Sequence, residues 1–111
     1  MWLFTNIGFY SVVQKPEDEL LTIRSRSVAD LDKLRAEYMP ELSPTIEGET
    51  SDYPFRARIS HEKFGEGLAK IAESIHYGNF KAEIAVKMGM KRAQVYSKLW
   101  NDLLELEEAD K

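Results

Sequence analysis

The sequence predicts an α+β domain: an antiparallel sheet of about four strands in the order β-β-β-α-β-α-α-α, with helices packed on one face, related to ferredoxin-like arrangements. Three observations carry that expectation. Short aromatic and β-branched runs crowd the start of the chain, apolar residues at helical spacing dominate its second half, and one further alternating run lies between at residues 53–60. With 111 residues, 43% of them hydrophobic, the chain supplies one core rather than two, so residues 1–111 are expected to form a single domain.

Residues 2–5 and 9–14 are the first two runs, and Asn6-Ile7-Gly8 between them reads as a hairpin turn in which Asn and Gly tolerate positive φ. After the polar turn Lys15-Pro16-Glu17-Asp18-Glu19, Leu21 and Ile23 alternate with Thr22, Arg24 and Arg26 as a third strand. Ser27 and Asp30 have the spacing of a capping box, and Val28, Leu31, Leu34 and Tyr38 continue at helical spacing to about Met39, where Pro40 ends the helix. Residues 40–52, with two prolines, a glycine and three glutamates, read as an exposed and mobile connection.

The fourth strand, residues 53–60, sets Phe55, Ala57 and Ile59 on one face and Arg56 and Arg58 on the other. Ser60 then opens a helix whose buried stripe is Phe64, Leu68, Ile71, Ala72 and Ile75, broken at His76-Tyr77-Gly78-Asn79. A further helix runs from about Phe80 to Met88 and stops at Gly89, and a last one from Lys91 carries Val95, Leu99, Trp100, Leu103 and Leu106.

The opening Trp2-Leu3-Phe4-Thr5, followed by Gly8-Phe9-Tyr10-Ser11-Val12-Val13, resembles a family of small uncharacterised bacterial proteins with a W-L-F-T-x-x-G-F-Y-S-V-V start. The resemblance continues through Arg24, Arg26, Asp30, Leu31 and Leu34, through Asp52, Tyr53, Phe55, Arg56 and Ala57, and through Tyr77, Asn79, Phe80 and Lys81 to Arg92-Ala93, Tyr96 and Trp100. It implies relatives along nearly the whole chain but no settled activity, so the residues are weighed on their chemistry.

Composition excludes several classes. Without cysteine, neither a disulfide framework nor a thiolate metal site nor a cysteine nucleophile is available. No apolar run approaches the ~20 residues of a membrane span, and the start lacks a signal-peptide pattern, so a cytoplasmic protein with no membrane partner is expected. A net charge of −4 argues against coating nucleic acid through bulk charge. The total conceals a local asymmetry. Lys81, Lys87, Lys91, Arg92 and Lys98 face only Glu83 across residues 78–99, and an acidic C-terminal tail holds Asp102, Glu105, Glu107, Glu108 and Asp110.

The sharpest chemical signal is the pair of Arg-x-Arg strands, Arg24 with Arg26 and Arg56 with Arg58. Each pair projects from one strand face. If the strands are neighbours, four guanidiniums share a patch, and such forks suit carboxylate or phosphate oxygens. The plainer alternative is a solvated face whose arginines pair with acidic residues from residues 41–52 or from a neighbouring subunit, each pair worth under ~1 kcal/mol. A second candidate is Tyr77-Gly78-Asn79-Phe80-Lys81, where a glycine turn enters a helix: its N-terminus can hold an anion, with Lys81 adding charge and Tyr77 a stacking surface, although Asn79 equally serves as an ordinary N-cap. Third, Ile84-Ala85, Gly89 and Val95 have helix-turn-helix spacing, which would offer Lys91, Arg92, Gln94 and Ser97 to a groove.

The enzymatic inventory is thin. His61 and His76 have no metal-ligand spacing, and no P-loop, nucleophile elbow or dinucleotide fingerprint is present. Trp2, Tyr10, Tyr96 and Trp100 read first as core or as an interface. The sequence therefore points to a non-enzymatic domain without cofactor or metal that binds a phosphate-bearing ligand, a nucleotide or nucleic acid, through Arg24, Arg26, Arg56 and Arg58, with Lys81, Tyr77 and Asn79. The alternatives are a protein-interaction module or inhibitor, docking on another protein or pairing as a homodimer, and helix-turn-helix-like DNA binding through residues 80–99.

Overall fold

The computed structural model describes residues 1–48 and 52–110, which divide into two compact units, Met1–Ile75 and His76–Lys111. The first holds β1 (Trp2–Phe4), β2 (Phe9–Val13), β3 (Leu21–Ser25), α1 (Val28–Glu37), β4 (Ile46–Glu47), β5 (Phe55–Ile59) and α2 (His61–Glu73). The strands form one five-stranded antiparallel sheet in the order β1-β2-β3-β5-β4. The expected α+β class is the observed one, with a fifth strand at the edge. A split β-α-β unit carries parallel strands, whereas β3 and β5, which flank α1 in the chain, are antiparallel neighbours. The likeness to ferredoxin-like arrangements thus extends to the layers and not to the ladder.

Alternation divides each strand between two faces. Leu3, Tyr10, Val12, Leu21, Ile23, Ala57 and Ile59 turn to one side, where Leu31 and Leu34 of α1 and Phe64, Leu68 and Ile71 of α2 pack on them. Both helices of this unit therefore cover the same face of the sheet. Ile23, Leu31, Leu34 and Met39 are fully buried there.

Three local expectations change for identifiable reasons. Among the described residues, the positive-φ positions are Glu17 and Gly89, so neither Asn6 nor Gly8 takes the left-handed conformation expected of the first hairpin. Thr5 holds that loop instead: its Oγ accepts from the N–H groups of Ile7 (3.2 Å) and Gly8 (3.1 Å) and donates to the Gly8 carbonyl (2.9 Å). Gly8 is required by crowding, because a Cβ there would lie 2.6 Å from both Asp30 Cγ and the Tyr10 hydroxyl.

Ser27 does precede α1 but makes no side-chain cap, and Asp30 does not close a capping box on it. The buried Asp30 carboxylate instead accepts from Phe9 N–H at 2.9 Å, and its backbone carbonyl accepts from the Tyr10 hydroxyl at 2.7 Å, so the helix start is tied to β2. Finally, the connection after α1 is not wholly exposed. Leu42 is buried, Arg35 donates to the carbonyls of Leu42 and Ser43 and to Thr45 Oγ, and Ser43 exchanges hydrogen bonds with the Arg58 backbone ahead of β4. Residues 49–51 of the expected mobile segment lie outside the described residues.

The second unit is helical: α3 (Phe80–Met88), α4 (Met90–Leu103) and the short α5 (Leu106–Ala109). Asn79 caps α3, accepting from Ala82 N–H at 2.9 Å, and Gly89 alone joins α3 to α4 at φ 95°. A helix-turn-helix joint commonly has three or four residues. Val95, the apolar position that the helix-turn-helix spacing set on the last helix, is 55% exposed, and the buried residues of α4 are Ala93 and Tyr96.

Candidate binding face of the sheet

The side of the sheet opposite α1 and α2 carries the sequence-predicted arginines. The register sets Arg24 of β3 directly across from Arg56 of β5, Thr22 across from Arg58, and Ser11 of β2 across from Arg24. The two Arg-x-Arg segments are therefore neighbours. Opposed like charges on adjacent strands destabilise the pair.

What holds the arginines is a mixture of stacking and hydrogen bonding. Arg24 donates from Nη2 to the buried Ser11 Oγ at 2.7 Å and lies over the Tyr53 ring, 4.7 Å from its centroid. Arg26, one residue past β3, lies over the same ring at 5.1 Å. Tyr53 thus gathers two guanidiniums by cation–π attraction. Arg58 pairs with the Asp18 carboxylate of the β2–β3 turn at 2.5 Å. Among the described residues, Arg24, Arg26 and Arg56 have no carboxylate partner. The Nε–H groups of Arg24 and Arg56 are buried without a hydrogen-bond acceptor among those residues.

Beside the arginines runs an aromatic row that sequence reasoning did not assign to this face. The register places Trp2 and Phe4 of β1 and Phe9 of β2 on it. Phe4 and Phe9 stack at 4.3 Å, Trp2 meets Phe9 edge-on at 6.0 Å, and Phe9 leads to Tyr53 at 6.4 Å. Trp2 is 65% exposed on edge strand β1, and Ile46 is 59% exposed on the opposite edge strand β4. At the usual strand spacing, five strands make a face about 19 Å across. The signal was present in period two, since Phe9 shares a strand face with Ser11; what was missing was the register that joins Ser11 to Arg24.

Tyr77, Asn79 and Lys81 lie in the second unit. Asn79 acts as the α3 cap, Tyr77 packs against Phe80 at 6.1 Å, and the Lys81 ammonium sits 4.4 Å from the Trp100 ring centroid. Phe80 stacks on Tyr96 at 6.1 Å, and Arg92 donates to the Tyr96 hydroxyl at 3.1 Å. Lys81 and Arg92, both read as ligand-facing, therefore each engage an aromatic residue of their own unit. Among the described residues no group of three or more His, Asp or Glu side chains could hold a metal ion, and no helix is long and apolar enough to cross a membrane.

No protein-family model, curated protein or solved structure matches the chain. The family resemblance in the sequence rests on its motif run alone, and the site has to be read from its own chemistry.

Proposed function

We propose that the protein binds single-stranded nucleic acid across the face formed by Trp2, Phe4, Phe9, Tyr53, Arg24, Arg26, Arg56 and Arg58. The observation that carries this reading is the adjacency of an aromatic row, exposed at Trp2 and half-buried at Phe4 and Phe9, to the guanidiniums of Arg24, Arg26 and Arg56, which lack carboxylate partners among the described residues. Single strands are bound by aromatic rings and guanidinium planes that stack unpaired bases while cations track the phosphates. A basic strip on an acidic chain suits local phosphate contacts better than wholesale charge neutralisation.

The test is fluorescence anisotropy with single-stranded RNA, duplex DNA and mononucleotides at 50 and 200 mM salt. We expect the single strand to bind best, with affinity falling as salt rises. The Arg24→Ala/Arg56→Ala protein should lose that binding while remaining folded. Equal affinity for duplex and single strand, or binding unaffected by the double change, overturns the reading.

A second reading has a specific observation behind it. In the second unit Val86, Met90, Trp100, Leu103 and Leu104 are exposed, with Val86 at 83%. Trp100, Leu103 and Leu104 share a helical spacing, and a cluster of that kind is the usual mark of a protein contact. Sedimentation of the purified chain tests self-association; a monomer at all concentrations removes the homodimer version.

A further inference from the structure

The apolar stripe of α4 outruns the helix that covers it. Ala93, Tyr96, Trp100 and Leu103 recur at the three-and-four spacing of one helix face, and Leu104 lies four residues from Trp100. The first half of the stripe is closed: Ala93 and Tyr96 are buried, and Phe80, the first residue of α3, stacks on Tyr96. The second half is open, because α3 begins there. Lys81 reaches as far as the Trp100 ring, while Trp100, Leu103, Leu104 and Leu106 are each about half exposed. At 1.5 Å per residue, the stretch from Trp100 to Ala109 continues for about 14 Å.

Charge along this helical stretch is ordered as well. Lys81, Lys87, Lys91, Arg92 and Lys98 precede the open end, and Asp102, Glu105, Glu107, Glu108 and Asp110 lie within it or beyond. That order opposes the helix dipole, which favours anions at the start and cations at the end: α4 has no acid in its first turn and no base in its last. A second helix laid antiparallel relieves it, since each acidic end then lies beside the other's cations. Among the described residues, no salt bridge holds Lys81, Glu105, Glu107 or Asp110.

We infer that the open end of α4, with α5, docks on the same surface of a second copy of this chain, packed antiparallel about a two-fold axis near Leu103. The inference rests on the self-association reading above and gives it an orientation. A two-fold interface joins one patch to itself, so the patch must be self-complementary. This one is apolar at its centre, cationic at its inner end, where the Lys81 ammonium lies 4.4 Å from the Trp100 ring centroid, and acidic at its outer end. Rotation about Leu103 sets Trp100 against the other copy's Leu106, and Lys81 beside its Glu105 and Glu107. A partner of uniform charge would meet repulsion at one end of the patch. A parallel copy would set acid on acid.

The test is sedimentation equilibrium of the full chain, with circular dichroism to establish that each variant is folded. Trp100, Leu103, Leu104 and Leu106 make a small interface, so the parent should dimerise with a Kd of roughly 10–100 μM, weakening in about 1 M salt, where the screening length is ~3 Å. Leu103→Glu should raise that Kd about tenfold or more, because it sets a charge at the axis. Lys81→Glu alone and Glu105→Lys/Glu107→Lys alone should each weaken self-association by about tenfold, and an equimolar mixture of the two should recover a heterodimer. A parent that stays monomeric at every concentration overturns the inference together with the self-association reading. A dimer that Leu103→Glu dissolves but both charge variants leave unchanged overturns the antiparallel arrangement and leaves self-association standing. A dimer indifferent to Leu103→Glu is built on another surface, which also overturns the inference.

Discussion

The two faces of the sheet are built from the same five strands and solve opposite problems. On the helix-covered face, Tyr10, Ile23 and Ala57 are fully buried against Leu31 and Leu34, and apolar area removed from water stabilises the fold. On the other face Arg24 opposes Arg56, two guanidinium Nε–H groups and a threonine hydroxyl are buried without partners among the described residues, and Trp2 stays in solvent. One face contributes stability and the other forgoes it. Unmet polar groups concentrated in one place are the usual sign of a site whose partner arrives from outside.

That contrast can be broken by substitution, and the largest effect belongs to the covered face. Ile23→Ala should destabilise the protein by about 2–5 kcal/mol, read from urea denaturation, because a fully buried side chain leaves a cavity. Gly67→Ala should cost about 1–3 kcal/mol, since the new methyl meets the buried Met39 side chain. A smaller loss in either variant would mean that this core is looser than its packing indicates.

The second face should behave in reverse. Trp2→Ala should change stability by under ~0.5 kcal/mol, as exposed positions do. It should nonetheless weaken single-strand binding by the ~1–3 kcal/mol of one stacked base, measured by anisotropy. Arg24→Ala/Arg56→Ala should change stability by no more than about 1 kcal/mol, because lost cation–π and Ser11 contacts are offset by relief of cross-strand repulsion. If that double variant unfolds, the arginines are structural and the contrast between the faces fails.

The smallest expected effect lies on α2, away from both faces' chemistry. Glu66 lies 3.1 Å from the Lys63 ammonium, and its hydrogen bond and charge raise the Lys63 pKa above the ordinary 10.5. A raised folded-state pKa means that the pair's contribution is complete below 10.5 and is lost as pH climbs through the higher folded value. Glu66→Gln should return the Lys63 titration, followed by NMR, toward 10.5 and leave the melting temperature at neutral pH unchanged within error.

Strand and helix positions were legible because they depend on periodicity. Phe55, Ala57 and Ile59 alternate with Arg56 and Arg58, and that alone assigns each to a face. Gly89 ended α3 where its position predicted, and Ser60 caps α2 by accepting from Lys63 N–H at 3.1 Å. The Asp30 reading failed because a carboxylate three residues after Ser27 has two possible partners, and the Phe9 amide from a distant strand won. Strand β4 was hidden because two residues are too few to show alternation, and they pair through backbone groups that any residue carries.

The sequence by itself determined the α+β class, the inward faces of the strands and the existence of two Arg-x-Arg strands, since each follows from side-chain spacing within one segment; its helix stripes held only in part, with Ala72, Ile75, Trp100, Leu103 and Leu106 exposed. Tertiary structure alone decided that Arg24 meets Arg56, that Tyr53 gathers Arg24 and Arg26, and that Trp2, Phe4 and Phe9 share the arginine face. Those relations depend on strand order and register. They are fixed by burial of the opposite face, because a one-residue slip would turn every core side chain of a strand into solvent.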